Sequence, residues 1–333
     1  MRPRILVARA VFIDAIARLR EHFDVETNDA DDVWTQAELI RRLQGMSGLF
    51  VTGTQAIDAA LLDACPQLRA VCSMAVGYNN IDVPACTAHG VLVSNAPDVL
   101  TETTADFGFA LMMAAARRIA ESEHFLRRGE WTKWSYDLFA GADVHGATLG
   151  VLGMGRIGQA IARRGALGFG MQVRYHNRSR LAADVETELG AQYVSKEQLL
   201  RDSDHLVIVV PYSTASHHLI GAAEIALMKS SATLTNIARG GIVDDAALAQ
   251  ALRERRIAAA GLDVFEGEPS IHPDLLQVPN VVLTPHIASA SIPTRRAMAH
   301  LAVDNLLAAL GVGPHAGRPP TALNPQVVGP QSG

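Results

Sequence analysis

The chain has 333 residues, enough for two domains, and its 49% apolar and 19% charged composition excludes a mainly disordered polymer. Its 29 basic and 34 acidic residues leave a formal charge of -5, which offers no electrostatic footprint for nucleic acid. Three cysteines without a CxxC pair (Cys65, Cys72, Cys86) argue against a disulfide frame and, with no apolar run near the roughly 18 residues of a membrane span, point to a cytoplasmic chain without a membrane partner.

Short apolar runs at residues 4–8, 49–52, 68–74 and 91–94 read as strands, with amphipathic helical stretches at 35–43 and 58–65 between them. From Thr101 a helical pattern runs unbroken to Arg128 and is apolar on more than one face, as in helices buried between domains or subunits. After a loop at 129–145, strands and helices alternate again through TLGVLG, MQVRYH, HLVIVV, ATLTNIA, AGLDVF and NVVLTPH. A helix over 293–310 closes the pattern, and the last residues, GPQSG, are expected to fray. The fold class is therefore α/β, with two doubly wound parallel sheets.

Gly153-Met-Gly155-Arg156-Ile157-Gly158 follows one strand and opens a helix. In that context the glycines allow a tight turn, close approach of a pyrophosphate and helix–strand packing, and the helix N-terminus supplies N–H donors. The next strand ends in Asn177-Arg178-Ser179-Arg180. A NAD site usually carries Asp or Glu there for the ribose hydroxyls. Two guanidinium groups and a hydroxyl suit a 2′-phosphate instead, so NADP(H) is favoured, with NAD the weaker alternative.

Arg239, Glu268 and His286 each fall at or just beyond the end of a predicted strand in this second half, where ligands of a doubly wound sheet sit. The turn at Val76-Gly77 offers backbone N–H groups to an anion. His89, His145, His272 and His315 lie in loops with no acidic partner at ligand spacing, and no HExxH-type cluster is present, so no metal is expected.

The segments NAPDVLTETTADFGFALMMAAAR, GMGRIGQAIARR, NIARGGIVD, AGLDVFEGEP and TPHIASAS resemble, in order and spacing, the D-isomer-specific 2-hydroxyacid dehydrogenase family. The likeness covers about residues 4–325. The NRSR segment and the two tryptophans of GEWTKW are most similar to glyoxylate/hydroxypyruvate reductases and the related 2-ketogluconate reductases.

The resemblance implies a substrate domain of residues 1–99 plus 287–333, with a dinucleotide-binding domain of 100–286 inserted and the active site in the cleft. It implies a homodimer through the coenzyme domains and a small 2-oxo or 2-hydroxy acid as substrate. Trp134 is the better match, ahead of Trp131, for a pocket residue contributed by the partner subunit. Asp263 would lie beside the nicotinamide carboxamide, Thr104 near the coenzyme and Ser289 near the substrate. His286 would donate the proton, with Glu268 raising its pKa, while Arg239, Val76 and Gly77 would hold the carboxylate. Two other readings stay open: a corepressor-like dinucleotide-sensing scaffold of the same fold, and a formate-dehydrogenase-like enzyme. NRSR and Glu268 argue against the latter.

Overall fold

A computed structural model describes residues 2–327, so the GPQSG tail lies outside the described residues. The chain divides into two compact units, Met1–Leu100 with Ala290–Gly333, and Thr101–Ser289. Each is built on an all-parallel sheet.

In the first unit β1 (Arg4–Val7), β2 (Asp24–Thr27), β3 (Gly48–Val51), β4 (Ala70–Ser73) and β5 (Leu92–Ser94) assemble in the order β2-β1-β3-β4-β5. Strands β3 and β4 are wholly buried, as continuous apolar runs covered on both faces must be. The intervening helices start at side-chain caps. Thr35, Asp58 and Asp82 accept from the backbone N–H groups of Glu38, Leu61 and Ala85. His89, placed above in a loop with no acidic partner at ligand spacing, is exposed and closes the helix Val83–Ala88: Nδ1 lies 2.8 Å from the Ala85 carbonyl and Nε2 2.8 Å from Asp63. That acidic partner is 26 residues away along the chain, beyond the reach of a spacing argument.

The second unit holds β6 (Thr148–Leu152), β7 (Gln172–His176), β8 (Ala191–Tyr193), β9 (His205–Ile208), β10 (Thr233–Asn236), β11 (Ala259–Leu262) and β12 (Val281–Leu283). Their order is β12-β11-β10-β9-β6-β7-β8. The chain winds outward from β6 to β8 and then returns to lay β9 on the other side of β6. That reversal creates a topological switch point between β6 and β9, where doubly wound sheets bind ligands beyond the carboxyl ends of their strands.

The helical pattern from Thr101 breaks into Thr101–Ala116 and Ile119–Arg127. Arg118 takes left-handed backbone (φ 54°), grips Glu121 with two 2.8 Å hydrogen bonds and lies 4.9 Å from the centre of the Phe139 ring. The Ala116 carbonyl meanwhile accepts from Ala142 N at 2.9 Å. One left-handed residue leaves no trace in a hydrophobic period. The apolar excess of the first helix is used within its own unit: Gly108 lets it settle against Ile237, and Leu111 packs on Gly261 of β11.

The chain returns to the first unit through the helix Ile292–Ala309, capped by Ser291 and seated over Gly48 of β3. A Cβ at Gly48 would stand 2.9 Å from Leu306 Cδ1, which explains why glycine opens that strand. Beyond the helix, Asn324 accepts from Val93 N at 2.7 Å and donates to Val91 O at 2.9 Å, tying the chain's end to β5. No helix among the described residues is long and apolar enough to cross a membrane.

Candidate active site

Strand β6 delivers the turn Gly153–Gly158 to the switch point. Gly153 has φ +103°, and a Cβ there would lie 2.8 Å from the backbone of Val209 and Val210 just beyond β9. A Cβ on Gly158 would meet the Gly153 carbonyl at 2.3 Å, so the third glycine lets the helix pack back onto its own turn. Around Gly155, by contrast, a Cβ would meet nothing within 4 Å. Gly155 begins the helix Arg156–Arg163 without a side-chain cap, so the first-turn N–H groups face an open cradle. Arg156 is exposed and Ile157 half-buried against the sheet core. Thr104 is buried on the neighbouring helix, and its hydroxyl has no protein partner. An open glycine cradle and an orphaned buried hydroxyl fit a dinucleotide.

At the end of β7, Asn177 turns inward and its Oδ1 accepts from Met154 N at 2.6 Å, bracing the glycine turn. Arg178 and Ser179 are exposed. Arg180 departs from the pair of phosphate-facing guanidiniums expected above, because Glu186 holds it in a two-pronged ion pair at 2.7 and 2.9 Å. The Tyr175 hydroxyl donates to the same carboxylate at 2.6 Å. These partners, Arg180 foremost, hold the Glu186 carboxyl below its ordinary pKa. Arg180 thus stands at this strand end already paired, while Arg178 is exposed beside it.

The three ionisable residues sit beyond β10, β11 and β12, neighbouring strands of one sheet. Arg239 follows β10 on a loop shaped by buried Asn236, whose Oδ1 accepts from Ala238 N at 3.0 Å and whose Nδ2 donates to the Arg239 carbonyl at 3.1 Å. Gly240 brings this loop against the next: a Cβ there would stand 1.8 Å from the Phe265 carbonyl. Burial lowers the Arg239 pKa from the ordinary guanidinium value, and the charge of Glu268 opposes that shift. Glu268 accepts from Phe265 N at 2.8 Å through Oε1, while Oε2 lies 2.7 Å from His286 Nδ1. Burial alone would raise the Glu268 pKa, but hydrogen bonds from His286 and Phe265 and the charges of His286 and Arg239 outweigh it. The carboxyl is held below its ordinary value.

His286 stands in left-handed backbone (φ 54°), a conformation that costs a non-glycine residue about 1–3 kcal/mol. Asp263 stabilises it. This fully buried carboxylate accepts from Thr284 Oγ1 at 2.7 Å and from the N–H groups of Ile287 and Ala288, each at 2.8 Å. Asp263, the residue that the family resemblance sets beside the nicotinamide carboxamide, thus also braces the segment that presents His286. With Nδ1 engaged by Glu268, Nε2 is the nitrogen left to face a ligand. Sequence reasoning missed Asn236 and Thr284 as supports; an Asn at a strand end before a tight turn is the one signal that could have found the first.

Ser289 is half-buried, three residues past His286. Trp131 and Trp134 are exposed, as is Tyr136 in the same segment. In the first unit the Val76 carbonyl accepts from Asn95 Nδ2 at 2.7 Å, fixing the turn that carries the Val76 and Gly77 N–H groups.

The family model for the D-isomer specific 2-hydroxyacid dehydrogenase NAD-binding domain matches residues 109–288. A glyoxylate reductase of Thermococcus onnurineus is 45% identical over 332 residues, covering 98% of both chains. That of Aeropyrum pernix is 48% identical over 313 residues, covering 92% of each. Among solved structures, an NADPH-dependent glyoxylate/hydroxypyruvate reductase of Sinorhizobium meliloti, crystallised with NADP and malonate, superimposes with a TM-score of 0.84 at 36% identity over 98% of both chains.

Proposed function

Because the chain belongs to the D-isomer specific 2-hydroxyacid dehydrogenases, we propose that it reduces glyoxylate and hydroxypyruvate to the corresponding 2-hydroxy acids with NADPH. The observation that carries this reading is the His286–Glu268 pair at 2.7 Å beside Arg239, on the sheet that also bears the dinucleotide turn. The coenzyme, when bound, supplies the hydride for C2. Glu268 occupies Nδ1 of His286 and so fixes which nitrogen offers its proton to the oxygen that becomes the hydroxyl. Arg239 presents a planar donor fork to the substrate carboxylate and polarises the neighbouring carbonyl. The N–H groups of Val76 and Gly77 are further carboxylate donors in this reading, and Ser289 and Trp134 are substrate contacts, Trp134 acting from the partner subunit of a homodimer. Three buried free thiols agree with a cytoplasmic enzyme. Coenzyme consumption with glyoxylate, hydroxypyruvate and 2-ketogluconate tests the assignment. Turnover of the first two supports it; turnover of 2-ketogluconate alone, or of none, overturns it.

Preference for NADPH over NADH follows from Arg178 and Ser179 at the ribose position, where β7 carries no carboxylate and Asn177 is committed to Met154. One charge-assisted contact to a phosphate contributes roughly 1.5–3 kcal/mol, so Arg178 alone sets a preference of about tenfold or more. Arg178→Ala should lower kcat/KM for NADPH by about that factor and leave NADH little changed. Glu186→Gln should release Arg180 and increase the preference. Equal kcat/KM for the two coenzymes in the wild-type enzyme at low ionic strength would refute this reading.

The depressed pKa of Glu268 also sets a pH dependence. Its folded-state value lies below its unfolded value, so the stabilisation is fully present above the unfolded pKa, about 4.3, and is lost as pH falls through the folded one. The Tm deficit of Glu268→Gln, roughly 1–3 °C for a partly exposed pair, should hold from pH 7 to about 5 and shrink below about 4. A deficit unchanged down to pH 3 would show that the carboxylate gains nothing from its partners.

A further inference from the structure

His217 and His218, on the segment that follows β9, meet Glu266, which follows β11, on the surface of the second unit. His218 Nε2 lies 2.7 Å from Glu266 Oε2 and His217 Nε2 lies 3.8 Å from Oε1. Consecutive side chains of an extended segment point to opposite faces. Here His218 adopts φ 48°, which turns both rings to one side, stacked with centroids 4.0 Å apart. Potential ligand atoms of all three residues lie within 4.8 Å of one another, the one such group of three found among the described residues. Chain spacing gives no hint of it, since Glu266 is 48 residues beyond His218.

The far nitrogens are backed by oxygens. Tyr212 Oη lies 3.2 Å from His217 Nδ1, and Asp244 Oδ2 lies 3.8 Å from His218 Nδ1. An oxygen behind the outer ring nitrogen, with the inner one turned toward a carboxylate, is the arrangement that orients histidine ligands and makes them more basic. The backbones are anchored as well. His218 N donates to the Gly241 carbonyl at 2.7 Å, and Glu266 N donates to Asp245 at 3.1 Å.

We propose that His217, His218 and Glu266 bind one divalent ion of the zinc class. Two imidazoles and a carboxylate suit a borderline ion such as Zn2+, Co2+ or Ni2+, leave a coordination position for water and disfavour Mg2+ or Ca2+. The ion would clip the His218–Gly241 contact, two residues past Arg239, to the segment that reaches Glu268 two residues later. None of its three ligands belongs to the proposed catalytic set.

Equilibrium dialysis of the EDTA-stripped protein against ZnCl2, with thermal denaturation in parallel, tests this. The expected result is one Zn2+ per chain and a raised Tm, with Mg2+ producing neither. His217→Ala and Glu266→Gln should each weaken Zn2+ binding by at least about tenfold, and Tyr212→Phe, which removes no ligand, should weaken it by about tenfold. Co2+ should give a visible d–d absorption that is lost in His217→Ala. Absence of binding by the wild type, or equal Zn2+ affinity in wild type, His217→Ala and Glu266→Gln, overturns the site. Turnover of glyoxylate by the stripped enzyme is a separate measurement, so failure of this site and failure of the proposed reaction are distinguishable.

Discussion

His286→Ala should lower kcat for glyoxylate reduction by about 10² to 10⁴, the range lost when a positioned general acid is removed. Coenzyme affinity, read by fluorescence titration, should stay near that of the wild type, because the glycine turn is braced by Asn177, whose Oδ1 accepts from Met154 N. Three features set the size of the expected loss. The ring's Nδ1 is claimed by a carboxylate at 2.7 Å, its backbone is forced into the left-handed region, and buried Asp263 holds both N–H groups that follow it. A side chain supported on so many sides is placed for a directional task. Near-wild-type turnover of the variant at neutral pH would remove His286 from the chemistry.

Arg239→Lys should lower kcat/KM for the 2-oxo acid by about tenfold to a hundredfold, with little change in KM for coenzyme. Lysine keeps the charge but presents a single point donor, and each charge-assisted hydrogen bond lost corresponds to roughly 1.5–3 kcal/mol. The arginine stem is mostly buried and its Nη1 already donates to the Ala238 carbonyl at 2.7 Å, so the guanidinium is aimed before substrate arrives. A flexible ammonium in the same place has no such aim. A variant within about twofold of wild type would show that the fork is not used.

Much of this was legible in the sequence. Apolar runs such as GLFV and HLVI announce interior strands of a parallel sheet, because a strand covered on both faces buries every successive side chain. The strands DVET and AQY escaped detection for the same physical reason: both are edge strands, polar and partly exposed, with no apolar run to show. The dinucleotide turn was readable because each glycine meets a steric demand that the fold confirms at Gly153 and Gly158. The committed state of Arg180 was not, because a partner six residues on becomes a partner only once the chain has turned. The same holds for Asp263, whose acceptors are filled by residues 21 to 25 positions later. Spacing identifies which residues arrive at strand ends; it does not say which of them are already occupied.

The first unit is discontinuous, and this fixes an order of events during synthesis. Its sheet is translated first, yet the helix that covers Gly48 and the asparagine that ties down β5 come from the last 45 or so positions of the chain. The whole of Thr101–Ser289 is made in between. At roughly 5–20 residues per second the ribosome needs about 10–40 s for that stretch. Throughout that interval the sheet of the first unit lacks the helix that covers Gly48, whereas all the strands of the second unit are made before that helix follows. The unit begun first is thus the one completed last.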